Sequence, residues 1–227
     1  VELARINIAD TGKPIKNAVD VNHPDDEMLD LRFRNDIGPR DENLVRVLVL
    51  GLGSTMDDVL DGWDHLAYAA PRLSAYKLIV DSAKADAPLD DLGNYDLVYL
   101  GMEGAFLPKA ATTKALTDYL DKGGSLFIEA LDDGAKDPCQ AFLKKLSQTP
   151  KKLGKKTLLL TAPFLFGALP DGFVSSHIEE ANNALYSTAA YSLAWGGRSK
   201  SGAMSRADIR SAHEWGINLI HHCLQKE

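Results

Sequence analysis

From residue 44 onward, short apolar runs alternate with longer segments whose apolar residues recur every three to four positions. The runs "LVRVLVL", "YDLVYLG" and "SLFIEAL" predict buried strands, centred on residues 46–50, 95–100 and 125–130. Strands that alternate with helices are typical of a mostly parallel sheet covered on both faces. The sequence therefore predicts a three-layer α/β domain over residues 44–227.

Capping residues predict where several helices begin and end. The first helix is expected to end at Pro71, and the next to run over residues 109–121. A third helix is expected to begin with Asp137 as its N-cap, ahead of a proline at the first helical position. The last helix is expected to follow Ser205 as its cap and to run to about Leu224.

Two further strands are predicted in the C-terminal half, and a different structure in the N-terminal segment. "TLLL", from Thr157, and "ALYSTAAYSLAW", over residues 184–195, read as strands. Residues 1–43 contain the alternating runs "LARINIA" and "LDLRFR" between polar turns. We therefore expect an N-terminal β arm or added strands in residues 1–43, distinct from the α/β domain.

Composition limits the kinds of partner. The formal charge of −7 and the pI near 5.4 argue against nucleic acid, because proteins that bind it neutralise phosphates with Lys and Arg. A protein partner or a small ligand is expected instead. The longest strongly apolar stretch, "TLLLTAPFLFGALP", contains Pro163 and is shorter than the roughly 20 residues of a membrane span. We expect a soluble chain, extracytoplasmic if a signal segment was removed before Val1.

The stretch "LVRVLVLGLGSTMDDVL" has the strand, glycine turn and helix of a nucleotide-binding unit. The third glycine of the dinucleotide fingerprint is replaced by Met56, and no lysine precedes Ser54 as a phosphate-binding Walker loop requires. Asp57 and Asp58 already occupy the positive end of the helix dipole and would repel a phosphate. We expect a turn capped by its own Ser54 or Thr55, with no nucleotide or other cofactor bound.

Ligands of open α/β sheets bind at the carboxyl ends of the strands, which here are followed by "GMEGAF", "EALDDG" and "AWGGRSKSG". We expect Glu103 and Glu129 to share a cleft, with Trp195 as an apolar wall. Arg198 is expected to offset the charge of the two glutamates. The alternative is that both glutamates point to solvent and only cap neighbouring helix starts. The candidate ligand-binding residues are Glu103, Phe106, Glu129, Asp132, Trp195 and Arg198.

No catalytic residue and no metal ligand is assigned from the sequence. Carboxylates at these strand ends would suit a hard cation, but Asp132 and Asp133 precede Gly134 and are equally typical of a turn. A covalent hydrolase needs a Cys or Ser at a strand-to-helix elbow, and the central strand is followed by Glu103. Cys139 lies on the apolar stripe of its helix, where a thiol usually has a packing role.

Four segments in this order, "YDLVYLGMEGAF", "LTDYLDKGGSLFIEAL", "DPCQAFLKKL" and "HEWGINLIHHCL", resemble the bacterial family called domain of unknown function 4159. The resemblance covers residues 44–224. It implies a flavodoxin-like fold related to class I glutamine amidotransferase-like domains. The elements of the family pattern correspond here to Gly101, Glu103, Gly104, Phe106, Gly123, Gly124, Phe142, Gly216 and Asn218.

The chain also departs from this family's pattern. Many members carry a histidine in the turn after the central strand and an Asp-His-Pro later, where this chain has Glu103 and "TAP" at residues 161–163. Any activity that depends on those histidines is not expected here. The leading hypothesis is a noncatalytic or degenerate amidotransferase-like module that binds a protein or small ligand. The alternatives are a carboxylate-based, metal-assisted hydrolase and a structural module of a cell-envelope assembly.

Overall fold

The computed structural model describes residues 43–89, 91–154 and 157–225. The predicted N-terminal β arm lies outside these residues. The strands are β1 Leu44–Leu52, β2 Lys77–Lys84, β3 Leu97–Met102, β4 Ser125–Ala130, β5 Lys151–Lys152, β6 Glu179–Ala181, β7 Ala184–Ser187, β8 Arg198–Ser199 and β9 Gly202–Ala203. The α-helices are α1 Met56–Leu73, α2 Ala110–Asp121, α3 Lys136–Lys145, α4 Leu158–Thr161, α5 Tyr191–Trp195 and α6 Arg206–Leu224.

Seven strands form one sheet in the order β2-β1-β3-β4-β7-β6-β5. The first five are parallel, whereas β6 and β5 are added antiparallel at one edge. Numbered among themselves, the five parallel strands have the order 2-1-3-4-5, which is that of the flavodoxin-like doubly wound fold. The predicted mostly parallel α/β fold is therefore confirmed.

The two faces of the sheet bury separate cores, because successive residues of a strand point to opposite sides. On one face, Tyr99 and Phe127 pack with Trp63 of α1 and Trp215 of α6. On the other face, apolar strand residues pack with α2 and α3, whose Phe142 is fully buried. This arrangement gives the three layers that the alternating pattern predicts.

Two predicted strands in the C-terminal half are helical instead, the first throughout and the second in its last part. "TLLL" forms α4, whose cap Thr157 accepts a hydrogen bond from the amide of Leu159 at 3.4 Å. The second segment is a strand only as far as Ser187, and its end forms α5. A short apolar run has no periodicity to separate a strand from a helix, so tertiary contacts decided both cases.

Helix ends were predicted with mixed success. Ser205 caps α6 as expected, since its hydroxyl accepts from the Asp208 amide at 3.2 Å. The expected end of α1 at Pro71 is wrong by two residues. Asp137 does not cap α3: the carboxylate of Asp132 accepts from the Ala135 amide at 2.8 Å and begins the 3-10 turn that leads into this helix.

Asn218 of α6, one of the positions of the family pattern, connects three parts of the structure. The fully buried amide of Asn218 accepts from the Phe164 amide at 2.9 Å, and donates to the carbonyls of Leu159 at 3.1 Å and of Phe164 at 2.7 Å. These bonds tie α4 and the loop that follows it to α6.

Within the described residues, no helix combines the length and apolar character needed to cross a membrane.

Candidate functional site

β1 and β3 are neighbours at the point where the order of the strands in the sheet reverses. In the chain, β1 is followed by β2, which lies on one side of β1, and then by β3, which lies on the other side. In doubly wound folds this switch point leaves a crevice between the two turns that follow these strands, and ligands bind there. We call the turn of residues 53–55 the β1 turn and that of residues 103–109 the β3 turn.

The carboxylate of Glu103 in the β3 turn binds the donors of the β1 turn. One of its oxygens accepts from the backbone amides of Ser54 at 2.5 Å and Thr55 at 3.1 Å. The hydroxyls of the same two residues donate at 3.2 and 3.3 Å. Gly53 has a φ of +139°, and a Cβ at this position would lie 2.3 Å from the carboxylate. The glycine therefore lets the carboxylate approach the turn.

This carboxylate is charged at neutral pH. Partial burial raises its pKa, but the amides and hydroxyls of Thr55 and Ser54 outweigh that effect and hold the pKa below its ordinary value of 4.5. The expectation that Ser54 or Thr55 caps α1 is wrong. Thr55 occupies the N-cap position, yet within the described part of the chain its side chain accepts no capping bond. The cap comes from a neighbouring strand's turn.

We predict that Glu103→Ala lowers the free energy of unfolding by about 1 kcal/mol at pH 7, the usual cost of losing a helix cap. Because the folded-state pKa lies below 4.5, the stability that the carboxylate contributes is present above that pH and is lost as the pH falls through the folded value. Urea unfolding at pH 7 and pH 3 measures both effects.

Glu103→Gln is the matched control for this prediction, since it keeps one acceptor and removes the charge. Its stability should depend less on pH than that of the unmodified protein in the acid range. Equal stability of Glu103→Ala and the unmodified protein at pH 7 would contradict the capping role.

Glu129, at the end of β4, is wholly buried, with 0% of its surface exposed. It accepts from the amides of Tyr191 at 2.6 Å and Ser192 at 3.0 Å, and from the hydroxyl of Tyr99 at 3.1 Å. Burial raises the pKa of this carboxyl, and the hydrogen bonds from Ser192, Tyr191 and Tyr99 oppose the effect only in part. The side chain thus binds the first amides of α5 from inside the protein.

Asp132 connects the turns after β3 and β4. Its carboxylate accepts from the Gly104 amide at 3.0 and 3.1 Å, in addition to its bond with Ala135. The segments "GMEGAF" and "EALDDG" therefore lie together at one edge of the sheet. Glu103 and Glu129, however, each have their own set of donors, one at the start of α1 and the other at the start of α5.

Trp195 and Arg198 do not have the roles expected of them. Trp195 is fully buried, donates to the Ala212 carbonyl at 3.1 Å and packs edge-on against Trp63, so it is core and not the wall of an open cleft. Arg198 pairs with Asp58, and with Asp61 at 3.9 Å, on the first turns of α1. It offsets the charge of these aspartates and not that of the two glutamates.

Phe106 is the candidate that faces solvent, with 64% of its surface exposed, and Leu107 beside it is 41% exposed.

A metal site and a reactive thiol have less support in the structure. In residues 43–89, 91–154 and 157–225, no group of three or more His, Cys, Asp or Glu is placed to hold a metal ion. Cys139 is buried 3.5 Å from the sulfur of Met102, and burial raises the pKa of its thiol, as in a packing residue.

Comparison with known families decides the classification. The model of the family described as "Domain of unknown function (DUF4159)" matches residues 46–224. The chain belongs to the DUF4159 family. This match confirms the resemblance drawn from the four sequence segments. Three positions of the DUF4159 pattern have a structural role in this chain. The hydrogen bonds of Glu103, Gly104 and Asn218 hold loops in place.

Solved structures similar to this DUF4159 chain are distant from it. The lactose-specific IIB component domain of the phosphoenolpyruvate:carbohydrate phosphotransferase system from Streptococcus pneumoniae is 20% identical, with a TM-score of 0.28, over 45% of this chain and 91% of that chain. Oxidised Flavodoxin 1 from Bacillus cereus is 13% identical, with a TM-score of 0.33, over 78% of this chain and 97% of that chain. No curated protein matches the chain. The fold assignment rests on the strand order.

Proposed function

We propose that this DUF4159 chain is a noncatalytic module that binds a partner protein through its β3 turn. The observation behind the proposal is that the carboxylate of Glu103 accepts hydrogen bonds from the backbone amides of Ser54 and Thr55. Amides at a helix start, next to the switch point, are where folds of this kind hold the phosphate of a ligand. Here the donors already bind an anion of the chain itself, and a phosphate would be repelled.

Exposed apolar side chains favour a protein over a small ligand. Phe106 and Leu107 are consecutive and exposed in the same turn whose Glu103 fills the crevice. Aromatic side chains are enriched among the few residues that dominate protein interfaces, where they fill pockets of the partner. A small ligand instead needs a concave site that surrounds most of its surface.

The surroundings of the other candidates support a noncatalytic module. Glu129 is fully buried and bound by three donors, so a substrate has no access to its carboxylate. At the end of β3, where an amidotransferase-like hydrolase would carry its nucleophile, the chain has Met102 and Glu103. A degenerate relation to amidotransferase-like domains is part of this proposal, and a role in a cell-envelope assembly is compatible with it.

Site-specific photo-crosslinking tests the proposal. A photoreactive phenylalanine analogue at position 106 should yield one discrete crosslinked protein, identified by mass spectrometry, when the full chain is mixed with extract of its source cells. The purified partner should then bind the unmodified chain, and Phe106→Ser should weaken that binding at least about tenfold, as loss of a central aromatic does. Excess inorganic phosphate or FMN should not displace the partner.

Tyr68 is the matched control position, because it is 69% exposed on α1. The analogue at position 68 should not give the same product. A product that forms equally at both positions, or a purified partner whose affinity is unchanged by Phe106→Ser, would refute recognition by the β3 turn. Saturable binding of FMN by the unmodified chain would show that the crevice accepts a ligand. That result would remove the basis of the proposal.

A further inference from the structure

A cavity of about 640 Å³ lies at the opposite edge of the sheet, beside the amino ends of β3 and β4. Its walls are the 3-10 turn Leu92–Asn94, the C-terminal end of α2 and the last residues of α6. The volume falls within the range of about 300–1,000 Å³ that small-molecule sites occupy. This cavity could not be predicted from the sequence, because its walls come from three distant segments.

The charges around the cavity favour a cation. Asp91, Asp96 and Asp118 contribute carboxylates to the lining, and Lys122 is the one cationic side chain among the described lining residues. Asp118 also pairs with Lys114 at 2.5 Å, and Asp96 accepts from the backbone amide of Arg46 at 2.8 Å. In addition, α2 and α6 both end at the cavity, so the negative ends of two helix dipoles point towards it.

Part of the remaining lining is apolar and suits an aliphatic part of a ligand. Leu89, Leu92 and Ala115 contribute apolar surface. The hydroxyl of Tyr119 is already used, since it donates to the Tyr95 carbonyl at 3.1 Å and accepts from the Ser125 amide at 3.2 Å. An ammonium group on a chain of methylenes would match both the charge and the apolar surface.

We propose that this cavity binds a small aliphatic amine, with a diamine as the best match to its charge, because two ammonium groups can face two of its carboxylates. The cavity is far larger than a bare metal ion needs, which makes an organic cation the better match. The proposal is separate from the proposed function, because the β3 turn lies at the other edge of the sheet and shares no residue with the cavity.

The test is titration of the isotope-labelled full chain with 1,4-diaminobutane, followed by the backbone amide resonances in NMR. We expect saturable shifts at Gly93, Gly123 and Gly124, which line the cavity. The neutral analogue 1,4-butanediol should not produce them. High salt should weaken the binding, because the attraction is electrostatic.

Variants of the lining distinguish a site from general attraction to an acidic protein. Asp91→Asn and Asp118→Asn should each weaken binding about fivefold. Asparagine suits position 91, whose φ of +57° is left-handed. Lys122→Ala should strengthen binding, because it removes the opposing cation. Asp57→Asn, at the far edge of the sheet, is the matched control and should leave the affinity unchanged.

Two results would overturn the proposal. One is the absence of shifts at the cavity glycines at any diamine concentration up to about 50 mM, well beyond the weak millimolar range. The other is equal weakening by Asp57→Asn and by the two lining variants. Failure here would leave the crosslinking result at Phe106 unaffected, so the two proposals fail independently.

Discussion

Glu129→Ala should lower the free energy of unfolding by about 3 kcal/mol at pH 7, because it leaves two buried amides without an acceptor. These are the amides of Tyr191 and Ser192. The hydroxyl of Tyr99 also loses its bond to the carboxylate but keeps the hydroxyl of Ser192 as a partner at 2.9 Å. Each buried donor that loses its partner costs about 1–3 kcal/mol, and the relief from burying a carboxylate offsets part of that sum. Urea unfolding followed by tryptophan fluorescence measures the change, since Trp63, Trp195 and Trp215 are buried in the same core.

Glu129→Gln is the control, and pH provides a second readout. The amide keeps one acceptor, so we expect a loss of only about 1 kcal/mol. Since the folded-state pKa of Glu129 lies above 4.5, the unfolded chain releases this proton first, and the stability of the unmodified protein falls as the pH rises from 4.5 towards the folded value. Glu129→Gln should lack this fall. A Glu129→Ala protein as stable as the unmodified one would contradict the buried capping role.

Gly62→Ala should also be strongly destabilising, by about 3 kcal/mol, although alanine is the better helix former. A Cβ at Gly62 would lie 1.8 Å from the backbone carbonyl oxygen of Ser192, so α1 and α5 could not keep their separation. The obstacle is backbone and cannot rotate away. The same unfolding measurement at pH 7 gives the change, with loss of the edge-on contact between Trp63 and Trp195 as a spectroscopic sign.

Two other glycines provide graded controls for this prediction. At Gly216 the nearest atom to an added Cβ would be the end of the Leu66 side chain at 2.7 Å, which can move, so Gly216→Ala should cost about 1 kcal/mol. At Gly93 no described atom lies within 4 Å, and Gly93→Ala should change stability by less than about 0.5 kcal/mol. If the three variants are equally stable, close helix packing at Gly62 is not what requires a glycine there.

The alternation of strands and helices was predictable because buried parallel strands are almost continuously apolar. β4 coincides with the predicted residues 125–130, and β1 contains residues 46–50. The start of α5 was not predictable in the same way. Its first residues, Tyr191 and Ser192, follow a short apolar run that suits either structure, and only the carboxylate of Glu129 from β4 provides the acceptor that begins a helix there.

The location of the candidate site was predictable from the sequence. The contacts that its side chains make were less predictable. The rule that turns after parallel strands meet at one edge brings Gly104 and Asp132 together, as found. It does not say which partner each charged side chain selects. Arg198 is as compatible in sequence with the glutamates as with the aspartates of α1 that it contacts. Glu103 was recognised as a candidate, but its position on the amides of Ser54 depends on the spacing of β1 and β3.

The sequence by itself determined the α/β class, the family and the positions of the main strands, since these depend on local periodicity and on the order of motifs along the chain. Only the tertiary structure decided that the crevice after β1 is filled, that Trp195 is core and that a cavity lies beside α2 and α6. The physical reason is that a hydrogen bond or a cavity depends on which distant segments lie within a few ångströms of each other. Hydrophobic periodicity specifies the face that a residue occupies and leaves that residue's partner open.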